Sequence, residues 1–233
     1  LVMQGTGYRD KINIAIDGPA GAGKSTVARM VASKLQYIYV DTGAMYRALT
    51  WFMLKEGIPS ENSENVLQKA QNMVIELKPH VNGQKVLLNG EDVTPYIRSS
   101  QVNNVVSKYA QIEGVRTKLV HLQRQMALEK GVVMDGRDIG TTVLPDAEVK
   151  IFMTASVKER ALRRYNELSQ TEDISLEQLE HDIAERDRLD QQREVSPLRR
   201  AEDAIFLDTT SMSIEEVVDA IVSYCVIHWD GEK

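Results

Sequence analysis

The chain of 233 residues contains one cysteine, Cys225, so no disulfide can form within it and a zinc site built on cysteines is not expected. The residue reads as a small apolar side chain of the C-terminal helix. The four histidines, His80, His121, His181 and His228, are scattered without metal spacing. An excess of basic charge is also missing. The net charge is −6 and the pI is near 5.4. Contact with many backbone phosphates needs a basic footprint, so nucleic acid is not expected as the main partner. A small anion needs only a local cluster of arginines. No apolar run approaches membrane-span length, and the opening LVMQGTGYRDK has no apolar stretch of signal-peptide length. No membrane contact and a cytoplasmic location are therefore the expectations, with residues 1–10 left out of the fold reading. Internal repeats and low-complexity tracts are absent as well. What remains is 42% hydrophobic and 27% charged, the balance of one soluble domain or one domain with an inserted module.

Five short apolar runs end in polar turns. KINIAID, YIYVD, GVVMD, EVKIFMTA and AIFLD read as buried strands, and helical spacing follows the first two. Alternation of strand and helix predicts an α/β fold, a parallel five-stranded sheet with helices on both faces. Ligands on such sheets sit beyond the carboxyl ends of the strands. Three of those ends are conspicuously polar: DGPAGAGKS, DTGAMYR and DGRDIG. Between residues 59 and 94 the character changes. Two Asn-Gly pairs, at 82–83 and 89–90, predict hairpins, hence a small antiparallel β module inserted into a core of 11–58 and 95–230. Thr94-Pro95 reads as an N-cap followed by proline at the first helical position. Capping boxes are predicted at Ser156–Glu159, Ser175–Gln178 and Ser213–Glu216.

The stretch Gly18, Pro19, Ala20, Gly21, Ala22, Gly23, Lys24, Ser25, Thr26 fits G-x-x-x-x-G-K-[ST] at every fixed position. It follows a strand and opens a helix, the context such a phosphate loop requires. Its glycines let backbone N–H groups converge on phosphate oxygens at the positive end of a helix. Lys24 can reach the outer phosphates and the Ser25 hydroxyl can ligate Mg²⁺. The loop alone does not choose among GTPases, motor ATPases and small-molecule kinases. No N-K-x-D guanine motif occurs, which counts against a GTPase. VVMD, ending at Asp135, imitates the acidic strand end of a motor ATPase and decides nothing by itself.

The combination DGPAGAGKST, DTGAMYRA, VSKYAQIEGVR, DGRDIGT and ERDRLDQQREVSPL resembles the cytidylate kinase family, within the P-loop nucleoside monophosphate kinases. The resemblance covers the chain from about Lys11 to the C-terminal helix, the small β insert included. It implies transfer of a phosphoryl group from ATP, with Mg²⁺, to CMP or dCMP, by a monomer without nucleic-acid or membrane partners. It further implies that Lys24, Arg137 and Arg186 act on the moving phosphoryl group, and that Arg47, Arg137 and Arg186 surround the acceptor phosphate. Ser107, Arg116, Asp138 and Arg193 would read the cytosine, and Thr42 and Asp190 would contact the sugar. Tyr46 would pack on the pyrimidine or be plain core. Residues 156–185 would form a helical lid, with Arg160, Arg163 and Arg164 on the donor. Cytosine chemistry agrees: a carboxylate accepts from an exocyclic amino group and repels the uracil carbonyl. Broader acceptor range, a catalytically silent ATP-binding adaptor and a nucleic-acid-stimulated ATPase remain as alternatives. In AERDRLDQQR, residues 184–193, the apolar stripe Leu176, Leu179, Ile183 continues in phase through Arg186, Asp190 and Arg193. The charges keep the direction of the core-facing stripe, so they are expected to point at a ligand or at each other.

Overall fold

The computed structural model describes residues 10–80, 83–168 and 174–231. In chain order the elements are β1 (Asn13–Asp17), α1 (Lys24–Leu35), β2 (Ile38–Asp41), α2 (Thr42–Lys55), α3 (Ser63–Gln71), β3 (Ile75–His80), β4 (Gly83–Leu88) and β5 (Glu91–Asp92). There follow α4 (Ser100–Ala110), α5 (Glu113–Met126), β6 (Val132–Gly136), a π-helical turn (Ile139–Val143), β7 (Val149–Thr154), α6 (Val157–Leu168), α7 (Leu176–Gln192), β8 (Ile205–Asp208) and α8 (Ile214–Gly231).

The five apolar runs form one parallel sheet in the order β2-β6-β1-β7-β8. Its central strand β1 is buried along its whole length. Ile14 and Ile16 pack with Val27, Val31 and Ile221 of α1 and α8, while Ala15 joins Met134 and Val120 on the opposite face. Each buried Val, Ile or Met side chain here contributes about 1.5–3 kcal/mol. Parallel register then fixes the polar ends. Asp17 pairs with Gly136, and Asp41 with Asp135, so the three polar turns open side by side.

The insert is a separate antiparallel sheet, β3-β4-β5. Asn89 (φ 51°) and Gly90 (φ 84°) make the predicted turn between Leu88 and Glu91. Asn82 of the first Asn-Gly pair lies outside the described residues, and Gly83 already pairs with His80 in the ladder rather than turning the chain. The Thr94-Pro95 expectation is overturned. The Thr94 hydroxyl donates to Asp92 Oδ1 at 2.6 Å and accepts from the Val86 amide at 2.9 Å, so it is committed to the insert. Residues 94–98 are a turn, and the helix starts later, with Ser99 Oγ accepting from the Val102 amide. All three predicted serines cap their helices: Ser156, Ser175 and Ser213 each accept from the amide three residues on, at 3.1, 3.1 and 3.2 Å. Only Ser213 completes the box, its amide donating to Glu216 Oε2 at 2.8 Å, whereas the Ser156 amide donates to Thr210 and the Gln178 side chain donates to Asp182.

Helix α3 ends against a side chain from α5. Lys118 Nζ donates to the carbonyls of Ala70, Gln71 and Met73, the last two at 2.8 and 2.9 Å. Lys118→Met leaves these carbonyls without that donor. It is expected to cost about 1–3 kcal/mol, read as a lower midpoint in urea denaturation with an unchanged slope. An unchanged midpoint would contradict the assignment.

Candidate active site

The polar turns border a cavity of about 1080 Å³ at the carboxyl end of the sheet. On one side lies the loop before α1. Gly18 passes so close to β7 that an added Cβ would stand 1.9 Å from the Met153 carbonyl oxygen. Gly23 caps α1 in the left-handed region (φ 83°) without a side-chain bond, which leaves the first amides of the helix to a ligand. Lys24 is buried, and its Nζ donates to the Pro19 carbonyl at 2.7 Å. Burial and then the charge of Arg137 push its ammonium well below the usual lysine range.

Beneath the loop, Ser25 Oγ lies 2.9 Å from Asp135 Oδ2, and the Tyr39 hydroxyl donates to Asp135 Oδ1 at 3.0 Å. Burial, aided by the charge of Asp41, raises Asp135 to about 6. A hydroxyl beside a buried carboxylate is a pair of hard oxygen donors. It suits an ion such as Mg²⁺, which is held by few protein ligands together with phosphate oxygens and water. Among the described residues no cluster of three or more His, Cys, Asp or Glu offers a self-sufficient metal site. Asp17, buried and raised to about 7 mainly by that burial, accepts from the amides of Ile139 and Gly140, both at 2.7 Å. It ties the DGRDIG turn to the strand that carries the phosphate loop.

Across the cavity stands a ring of arginines. Arg47 Nη2 donates to both oxygens of Asp41, at 3.2 and 3.0 Å, and Arg98 Nη2 reaches the same carboxylate at 2.6 Å. Burial opposes ionisation of Asp41, but these two guanidinium groups outweigh it and hold the carboxyl below its usual range. Arg137 Nε donates to Asp190 Oδ2 at 2.8 Å, and Ser107 Oγ donates to Asp190 Oδ1 at 3.2 Å. Burial and then Arg137 lower Arg186 to about 10. Deeper in, Arg116 forms a buried ion pair with Asp138, and Arg193 Nη2 lies 3.7 Å from the other Asp138 oxygen. The Arg116 guanidinium sits 5.3 Å from the centre of the Tyr46 ring. Burial raises the Tyr46 phenol to about 12. Thr42 spends its proton on the Asp135 carbonyl at 2.7 Å.

The sequence-predicted residues of the phosphate loop, the DTG helix, α4, α5, the DGRDIG turn and α7 thus meet around one cavity. Several buried polar atoms here make no hydrogen bond among the described residues: Tyr46 Oη and the nitrogens Arg47 Nε, Arg116 Nε, Arg186 Nε and Arg193 Nη2. Buried polar groups are normally paired, so this pattern fits a polar, anionic ligand. Two placements differ from expectation. Helix α7 ends at Gln192, so Arg193 follows the predicted stripe from the extended residue just beyond it. Arg160 is buried and donates to the carbonyls of Ala155 and Ala20 and to Asp187, at 2.9, 2.8 and 2.7 Å. In this arrangement it braces the phosphate loop from outside. Arg163 binds Glu159 at 2.9 Å and the Thr209 carbonyl at 2.8 Å, and Arg164 lines the cavity.

A sequence profile of the cytidylate kinase family matches residues 14–226. The chain belongs to the cytidylate kinase family. Relatives named cytidylate kinase include one from Bacillus cereus (strain ATCC 10987 / NRS 248), 56% identical over 214 residues, covering 91% of this chain and 95% of that protein. Another, from Bacillus thuringiensis (strain Al Hakam), is 56% identical over 213 residues, with the same coverage of both chains. Among solved structures, an uncharacterized protein from Eubacterium ventriosum ATCC 27560 superposes with a TM-score of 0.51 at 12% identity, covering 93% of this chain and 99% of that one. That likeness concerns the fold alone. Membership in the cytidylate kinase family agrees with the P-loop kinase architecture: the parallel sheet, the phosphate loop opening α1, and the small antiparallel insert. Among the described residues no helix is long and apolar enough to cross a membrane.

Four groups at this site are not in the sequence reading. Asp41 is the last residue of a strand and N-caps α2, accepting from the Ala44 amide at 2.8 Å. A D-T-G strand end signals that cap, but not its two arginines. Asp17 and Asp187 stand in polar stretches whose acids cannot be ranked by pattern. Arg98 sits in TPYIRSS, a turn with no motif, and nothing in the sequence points to it.

Proposed function

We propose that this member of the cytidylate kinase family transfers the γ-phosphoryl group of ATP to CMP and dCMP by in-line displacement. The observation that supports it most is the pairing of two unlike half-sites across one cavity. One holds a phosphate loop with Lys24 and the Ser25–Asp135 oxygens, and the other a ring of arginines with buried nitrogens that make no hydrogen bond among the described residues. Phosphoryl transfer needs positive charge and positioning rather than covalent help. The phosphate loop and Lys24 bind the donor phosphates, while Arg163 and Arg164 approach the donor from the lid and Arg160 steadies the loop. Ser25 and Asp135 hold Mg²⁺, which supplies charge neutralisation between the phosphates when bound. Arg47, Arg137 and Arg186 turn toward the acceptor phosphate. Thr42 and Asp190 contact the sugar, and Ser107, Arg116, Asp138 and Arg193 read the base over Tyr46. Residues 59–94 serve as the acceptor-side insert and 156–185 as the lid that keeps out water. Residues 169–173 of that lid lie outside the described residues. We infer action as a monomer in the cytoplasm, on small-molecule substrates.

An acceptor panel tests this reading. ADP release from ATP should be fastest with CMP and dCMP, far slower with AMP and GMP, and abolished by EDTA. Equal rates with AMP and CMP would overturn the base assignment.

A further inference from the structure

Arg98 lines the main cavity, and the family motifs give it no task. It lies in the turn of residues 94–98 that leads from the insert back to the core, and its side chain is 60% exposed. It lines both the main cavity and a smaller one of about 240 Å³ between the insert and β2. Its Nη2 donates to Asp41 Oδ2 at 2.6 Å, and Arg47 Nη2 donates to that same oxygen at 3.0 Å. One carboxylate therefore holds two guanidinium groups and leaves a net positive charge at the cavity wall. A single oxygen already bridges the two nitrogens, so the oxygen of another anion can do the same.

The insert packs its Val86 and Leu88 against α2, and one polar side chain ties it to β2. Gln84 of β4 donates from Nε2 to the Tyr39 carbonyl at 2.7 Å, and its Oε1 accepts from the Asp41 amide at 3.2 Å. The carboxamide uses an acceptor and a donor along β2, an edge strand of the parallel sheet, much as a neighbouring strand would. The insert, and the turn that follows it, are thus fastened beside Asp41.

We propose that Arg98 is a further ligand of the acceptor phosphate, kept in place by Asp41 in the free protein and shared with the phosphate when CMP binds. This rests on the acceptor assignment above. A phosphate has more acceptor oxygens and more charge than the carboxylate, so the exchange lets both arginines keep charge-assisted bonds while Asp41 retains its role as helix cap. Movement of Arg98 carries no burial cost, because its side chain is mostly in solvent. The competing explanation is structural: Arg98 only pins the insert through Asp41.

The two are separated by comparing a ligand with the phosphate to one without it. CMP and cytidine are titrated into wild type, Arg98→Gln and Arg98→Lys by NMR, with thermal melts as a check on folding. Arg98→Gln should weaken CMP on the order of tenfold and leave cytidine affinity within about twofold, while Arg98→Lys recovers part of the loss. The decisive quantity is the ratio of cytidine to CMP dissociation constants. A smaller ratio in Arg98→Gln supports the proposal. An unchanged ratio overturns it, whether both ligands weaken together or neither does. Failure of the acceptor assignment itself would show separately, as a wild-type protein that does not turn over CMP.

Discussion

Replacing Lys24 with alanine is expected to lower kcat by about 10²–10³-fold or more. The side chain is buried under the phosphate loop and, among the described residues, donates one hydrogen bond, to the Pro19 carbonyl. Burial and then Arg137 disfavour its charge, and donor phosphates bound as proposed would favour it. In the proposed role it is a group held for the transition state at the expense of the resting fold. The direction of the linkage follows. The folded state holds the Lys24 proton less tightly than the unfolded chain, whose lysines titrate near 10.4. The destabilisation is complete at and below the lowered folded-state value and disappears only above the ordinary lysine range. Lys24→Met, which keeps the volume without the charge, should therefore melt at the same temperature as the free wild type or higher, while losing as much activity as Lys24→Ala. Melting curves without nucleotide and steady-state rates with ATP and CMP check both halves. Activity within threefold of wild type would contradict the role of the lysine. A Met variant that melts well below wild type would contradict the energetic account.

The second large effect concerns Asp138. Replacing it with asparagine should reduce the preference for CMP over UMP by about 10²-fold or more, because a site built around a hydrogen bond rejects the base that lacks it far more strongly than an apolar pocket does. In the proposed base-reading role a carboxylate would accept from the cytosine amino group and repel the uracil carbonyl, whereas a carboxamide can turn to suit either. Asp138 also neutralises Arg116 inside the protein, with both side chains almost wholly buried. Asparagine still offers Arg116 an acceptor. Alanine does not, and breaking a buried pair in this way typically costs about 3–5 kcal/mol. Asp138→Ala is thus expected to lower stability as well as selectivity, and Asp138→Asn mainly selectivity. The ratio of kcat/KM for CMP and UMP and the urea midpoint of each variant separate the two. An unchanged CMP:UMP ratio in Asp138→Asn would refute the base-reading role.

The legible parts of this protein were those in which chemistry is written locally. The phosphate loop needs glycines, a lysine and a hydroxyl within nine consecutive residues, and these stand together in GPAGAGKST. The serine caps at Ser156, Ser175 and Ser213 are four-residue events, and all three serines cap, although only Ser213 completes the reciprocal box. Thr94 misled for the same reason. Its hydroxyl had a local pattern that suggested a helix cap, but the Val86 amide and Asp92 reach it first through the hairpin. The helical phase of Leu179, Ile183 and Asp190 was readable because a helix repeats by geometry, and these three are the buried residues of α7.

The sequence by itself determined the strands, their polar ends, the phosphate loop and the direction in which α7 turns its charges. The tertiary structure decided which charge meets which. Arg98 comes from 57 positions away to the oxygen of Asp41 that Arg47, on the helix Asp41 caps, already holds, and Arg116 finds Asp138 across 22 positions. Such pairings depend on the register of parallel strands and on where an insert docks, and no spacing of residues along the chain encodes either.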